Sequence, residues 1–140
     1  MANTKKTSST ARQTGPQDVK AVARYQRITP QKIERMLDVV RNKPATLALA
    51  QLNVLPHSAA VIVKNVLKSA MANATHNHHM KLDHLVVSRA TVGPAGMMKR
   101  MRAVSRGRGH LILKKLSHIS IFVREKARPV ALASSGKDAQ

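Results

Sequence analysis

The sequence contains no cysteine and no tryptophan, and only two residues of the Phe/Tyr/Trp class, Tyr25 and Phe122. Missing cysteine excludes disulfides, thiolate catalysis and cysteine-type zinc sites together. So few rings argue against recognition of single strands by stacking bases on aromatic side chains. Acids are scarce too: six Asp plus Glu stand against 25 Lys plus Arg. That leaves little material for a paired-carboxylate active site. No nucleophile motif is present, and RGRGH (106–110) lacks the lysine and hydroxyl that follow a phosphate-binding glycine loop. The reading is a protein that is not an enzyme and needs no cofactor. No apolar run approaches about 18 residues, so neither a membrane span nor a signal-peptide core is expected.

What is present is positive charge. The formal net charge is +19 and the sequence pI about 11.7. Such a chain repels itself and attracts polyanions, chiefly nucleic acid, with an anionic membrane surface a distant second. The 140 residues suggest one domain with tails. Hydrophobic residues, at 43%, suffice for a modest core. A domain this small buries roughly two-thirds of the surface its unfolded chain exposes.

Residues 1–18 are small, polar and basic, and read as a disordered arm. Organelle transit peptides share that composition, but the segment has no amphipathic face. Val19 to Ile28 reads as a short extended segment. TPQKIERMLDVVRNKP follows, with Thr29 as helix cap and Pro30 at the first helical position, where its missing N–H costs nothing. Ile33, Met36, Leu37 and Val40 recur at helical spacing, and Asn42 and Pro44 end the run. ATLALAQLNVLP predicts a second short helix ended by Pro56. The longest helix is expected from Ser58, a possible cap, to about Thr75, with an apolar face wide enough for the centre of the core. HNHHMKLD is a polar joint, and Leu82–Val92 and Leu111–Arg124 read as strands. In the second, Ile119, Ile121 and Val123 alternate with His118, Ser120 and Phe122, the period of a half-buried strand. Residues 126–140 read as a flexible tail.

From His84 to Arg124 there is no acid at all, while nine arginines and lysines occur. Solvated surfaces normally mix both signs, so this span expects phosphates. Between the two strands lies GPAGMMKRMRAVSRGRGH, residues 93–110. Structureless loops beyond about 12–15 residues are uncommon in compact domains. The economical reading is a hairpin over about 85–124 that projects beyond the core. At roughly 3.3 Å per residue, nine residues per arm reach about 30 Å. An isolated two-stranded ribbon is marginal in water, so a polyanionic partner is expected to hold it. A floppy, solvated charged loop is the bland alternative. Met97, Met98 and Met101 sit among too much charge to be core filler. His76, His78, His79 and His84 suggest a metal, but with only Asp83 nearby they suit a helix end better.

Three segments resemble one family in their order: ARYQRITPQKIERMLDVVRNKP, VIVKNVLKSAMANATHN and GPAGMMKRMRAVSRGRGHLILKKLSHISIFV. It is the bacterial-type large-subunit ribosomal protein L-twenty-two family, and the resemblance covers roughly Ala23 to Glu125. It implies an α+β fold: three helices packed on a small three-stranded antiparallel sheet with a long protruding β-hairpin, in one domain over 19–125. It implies a structural role on large-subunit (23S-type) rRNA, support of subunit assembly, and a hairpin tip that lines the nascent-peptide exit tunnel. Neighbouring large-subunit proteins and the nascent peptide are further partners; no membrane and no homo-oligomer are expected. The location is a cytoplasmic bacterial ribosome, or a plastid one.

Carried over, the tip is Met97, Met98, Lys99, Arg100 and Met101. The rRNA-contacting set on the hairpin is Lys99, Arg100, Arg102, Arg106, Arg108, His110, Lys114, Lys115 and His118. Arg24, Arg27, Lys32 and Arg35 join it from the first strand and helix. Two departures stand out: Ala95, Gly96 and Met97 lengthen the run before Met-Lys-Arg, and Asn42 stands where the family commonly has glycine. The alternative is a histone-like architectural DNA-binding protein, whose basic β-arms bend the minor groove with an apolar wedge; Pro94 and the methionines would supply it.

Overall fold

The structure is a computed structural model that describes residues 18–126. Apart from Asp18 and Lys126, the expected N-terminal arm and C-terminal tail lie outside the described residues. The elements run β1 (Val19–Gln26), α1 (Pro30–Val40), α2 (Ala45–Val54), α3 (Ser58–His78), β2 (Leu85–Ala103) and β3 (Gly109–Glu125). They form the expected α+β fold, with an antiparallel sheet in the order β1-β3-β2.

One face of the sheet is built in rows. Val19, Val123 and Val87 form the first, Ala21, Ile121 and Ala90 the second, and Ala23, Ile119 and Val92 the third. Directly opposed residues in antiparallel strands share a face, so these rows make a continuous apolar floor. Ile119, Ile121 and Val123 are wholly buried in it, as their alternation predicts.

The helices cover that floor. In α1 the buried residues are Ile33, Met36, Leu37 and Val40, the expected stripe. α2 buries Ala45, Ala48 and Leu52. α3 contacts both other helices and β1 and β3, which is the expected central position. Its buried face interleaves Val63, Val66, Leu67 and Met71 with alanines, whose small side chains let neighbouring backbones approach.

Several boundaries differ from expectation. Thr29 occupies the cap position of α1, but its side chain makes no capping bond. Its carbonyl instead accepts from the Lys32 and Ile33 amides. Ser58 is the first helical residue of α3 and not its cap; extended His57 holds that place. α3 runs on to His78 because His79 adopts the left-handed conformation, φ 54°. The Met80 amide then returns to the Ala74 carbonyl at 3.1 Å, and Met80 packs on the core. The left-handed residue, the returning amide and the apolar contact together close the helix end. Leu82–His84 forms a single 3-10 turn and not the start of a strand. The His84 amide bonds the Lys81 carbonyl at 3.1 Å, which turns the chain from α3 into the sheet.

Between α1 and α2 the chain also pairs with β2. The Asn42 amide donates to Val87 O at 3.1 Å, and the Val87 amide donates to Lys43 O at 3.0 Å. Asn42 does this at φ 61°, a conformation glycine adopts without cost and asparagine tolerates. The departure from the family's glycine is thus met by the non-glycine residue best suited to it.

Candidate nucleic-acid interface

β2 and β3 are 19 and 17 residues long, far longer than β1 at 8. Pairing continues past the core to Ala103 opposite Gly109. The stretch expected as a projecting hairpin is therefore a paired ribbon. It closes at Val104–Arg108, where the Val104 amide donates to Arg108 O at 2.9 Å. Arg106 and Gly107 both have positive φ, 59° and 69°, as primed hairpin turns require.

This geometry corrects the placement of the tip. Met97 to Met101 lie on β2, opposite Lys115 to Leu111, and not at the turn. The turn carries Arg106 and Arg108 instead. Sequence cannot locate a hairpin's midpoint in a long basic run, whereas Gly107 in the left-handed region does.

The ribbon has two chemically different faces. Met97 opposes Lys115, Lys99 opposes Leu113, and Met101 opposes Leu111. These share the face that carries Ile119 and Ser117 further down β3, so the core's apolar floor extends outward as an uncovered strip. Met97, Met101, Leu111 and Leu113 are all exposed there, Met101 at 79%. The other face pairs Met98 with Lys114, Arg100 with Ile112 and Arg102 with His110. The methionine cluster is thus split: two sulfurs on the apolar face, one on the basic face. A bulge between Pro94 and Met97 sets this phase, since one extra residue on β2 exchanges the faces beyond it.

At the ribbon's root lies a cleft of about 550 Å³. Arg27 and Lys32 line it from the body, and Arg100, Lys114 and Lys115 from the ribbon. Five of the expected contact residues, far apart in sequence, are brought together there. No acid lines the cleft. Among the described residues the one ion pair is Arg41 with Asp38, on the surface of α1's far end. The cleft's cations therefore have no carboxylate partner. Thr29 and Ser58, at the N-terminal ends of α1 and α3, also line it, and the partial positive charge of helix starts adds to the field.

The remaining expected residues are dispersed. Arg24 and Arg35 are exposed on β1 and α1, and Arg102, Arg106, Arg108 and His110 occupy the distal ribbon and turn. His118 has a structural employment: its Nδ1 accepts the Tyr25 amide at 3.2 Å, and the two rings meet edge-on at 4.7 Å. Sequence reasoning passed over Ser117, wholly buried at the ribbon's root, whose hydroxyl donates to Ile28 O at 2.9 Å. It also passed over Lys20 and Phe122 on the sheet's open face, the ammonium 5.4 Å from the ring centroid. Only the alternation of β3 hinted at either.

Apart from Glu34 and Asp38 on α1, the described acids lie away from all this. Asp18, Asp83 and Glu125 sit at the start of β1, before β2 and at the end of β3, the end of the sheet opposite the ribbon. The molecule is electrically polarised, with its uncompensated positive pole on the ribbon and its root.

Comparisons with known proteins agree with this arrangement. A family model described as Ribosomal protein L22p/L17e matches residues 21–124. Large ribosomal subunit protein uL22 of Methylobacterium nodulans is 46% identical over 108 residues, covering 77% of this chain and 85% of that protein. The protein of the same name from Clostridium beijerinckii is 41% identical over 110 residues, 79% of this chain and 99% of its own length. With all three helices and all but the outermost ends of β1 and β3 inside the matched region, the chain belongs to the ribosomal protein L22p/L17e family.

Proposed function

We propose that this protein is a structural component of the large ribosomal subunit and binds large-subunit rRNA through its ribbon and the cleft at the ribbon's root. The observation that carries the reading is the acid-free ribbon, which projects beyond the core with one basic face and uncompensated charge at its root. Arginine and lysine of this density suit phosphate contacts, which position a protein on RNA without reading sequence. Bound rRNA neutralises the ribbon and supplies order that two strands alone lack, and this is how the protein supports subunit assembly.

The two faces divide the labour. Arg100, Arg102, His110 and Lys114 face rRNA. Met97, Lys99 and Met101 line the nascent-peptide tunnel with a soft, adaptable surface that gives a passing chain no fixed partner. Neighbouring large-subunit proteins contact the body, and the protein acts as a single copy. The relatives named above come from bacteria, which favours a bacterial cytoplasmic ribosome over a plastid one. A DNA-bending role fits less well: its wedge would have to sit at the ribbon's end, whereas Pro94 lies at the root opposite Ser117 and the methionines lie along the side.

The test is co-sedimentation of the tagged protein with large subunits through a high-salt wash. Recovery in the subunit fraction is expected. Recovery only with free protein, or with duplex DNA, overturns the reading.

A further inference from the structure

The body and the ribbon are tied together by few bonds. The last ties between them are the Gln26–Ser117 pair of the β1–β3 ladder and the bonds of Ser117 with Ile28 and His118 with Tyr25. Among the described residues, no hydrogen bond links the ribbon beyond Ser117 to the body. Just past that point β2 bulges at Ala95 and Gly96. Gly96 has φ 105°, and open space surrounds the position of its absent Cβ. Across this joint the ribbon is carried only by continuous β3 and its pairing with the bulged β2.

The cleft spans that joint. Arg27 and Lys32 form its body wall; Arg100, Lys114 and Lys115 form its ribbon wall. With no acid between them, like charges push the two walls apart. A ligand with several closely spaced negative charges reverses the sign, because each wall is then attracted to the same group.

From this we infer that the cleft is a strut site: paired backbone phosphates of RNA seat in it and lock the ribbon at one angle to the body. The inference rests on the proposed rRNA-binding role and adds a specific place and a mechanical consequence. Phosphates held at the distal ribbon neutralise charge but leave the joint free. Phosphates in the cleft set the ribbon's direction.

The absence of cysteine allows a clean measurement. Spin labels at Ser105→Cys on the turn and Asn53→Cys on α2 report the ribbon-to-body distance in the full chain. Inorganic tripolyphosphate serves as the compact probe and an rRNA fragment as the natural ligand. Both are expected to narrow the distance distribution. Arg27→Ala with Lys32→Ala, both exposed positions, is expected to abolish the narrowing. Lys68→Ala with Lys81→Ala removes equal charge from exposed positions outside the cleft and the ribbon and is expected to retain it. An unchanged distribution in the labelled wild type with either ligand overturns the strut, as does equal narrowing in the body-wall variant. If the rRNA fragment binds while the distribution stays broad, the strut fails and the proposed function stands. If no rRNA fragment binds, the proposed function itself fails.

Discussion

The Ser117 hydroxyl donates to the Ile28 carbonyl across 89 residues of chain, at 2.9 Å and with Ser117 wholly buried. This one bond joins the root of the ribbon to the turn that leads into α1. Both the core's last row and the basic cleft lie beside it.

Ser117→Ala removes a wholly buried hydroxyl and leaves the part-buried Ile28 carbonyl without its donor. Leaving a buried polar group without its partner costs about 1–3 kcal/mol. In a domain of this size each kcal/mol lowers the melting temperature by about 4–8 °C. Calorimetry of the free protein is expected to show a drop in that range. A change within error would mean that water takes over the hydroxyl's role.

Ile121→Ala tests the sheet's floor. Ile121 is flanked in its row by Ala21 and Ala90, whose small side chains cannot move in to fill the space. Truncation of a buried Ile costs about 2–5 kcal/mol, more where the site cannot collapse. Denaturant unfolding is expected to give a value in the upper half of that range, well above the loss for Leu47→Ala on the exposed side of α2.

Asn42 tests the backbone. At φ 61° a β-branched residue pays the left-handed penalty in full, about 1–2 kcal/mol. Asn42→Val is expected to destabilise by that amount, and Asn42→Gly to be neutral or slightly stabilising. Equal stability of the two variants in chemical denaturation would contradict the assigned conformation.

Binding to rRNA fragments is expected to fall steeply between about 50 and 200 mM salt. Lys114→Ala is expected to weaken binding to all fragments alike and reduce the salt slope by about one unit, the signature of a phosphate contact. Binding insensitive to salt would remove the electrostatic basis of the proposed interface.

The two faces of the ribbon are separable by crosslinking. A photo-crosslinker at Lys99, on the apolar face, is expected to capture nascent peptide on stalled ribosomes. The same group at Arg100, one residue on and facing the other way, is expected to capture rRNA. Capture of rRNA alone from both positions would leave rRNA binding intact and reject tunnel lining.

Much of the body is legible in the chain because burial imposes a period on it. The α1 stripe Ile33, Met36, Leu37 and Val40 and the β3 alternation through Val123 were readable for that reason. Cap details were less so: Thr29 and Ser58 have the right chemistry, but backbone carbonyls and Pro56 decide where helices begin. The ribbon's turn was not readable, because basic residues on a solvated ribbon carry no burial pattern to mark its midpoint.

Sequence alone determined the charge that calls for a polyanionic partner: +19 of net charge and 41 acid-free residues from His84 to Arg124. It also determined which residues form the core, through hydrophobic periodicity. Only the tertiary structure decided that Met97 and Met101 take the core's face of the ribbon and Met98 the other, because a single bulged residue at 95–96 sets the phase of everything beyond it. Only tertiary structure, too, placed Arg27 and Lys32 across a cleft from Arg100, Lys114 and Lys115. Charge is a property of composition, but the field of a cleft depends on which charges the fold brings face to face.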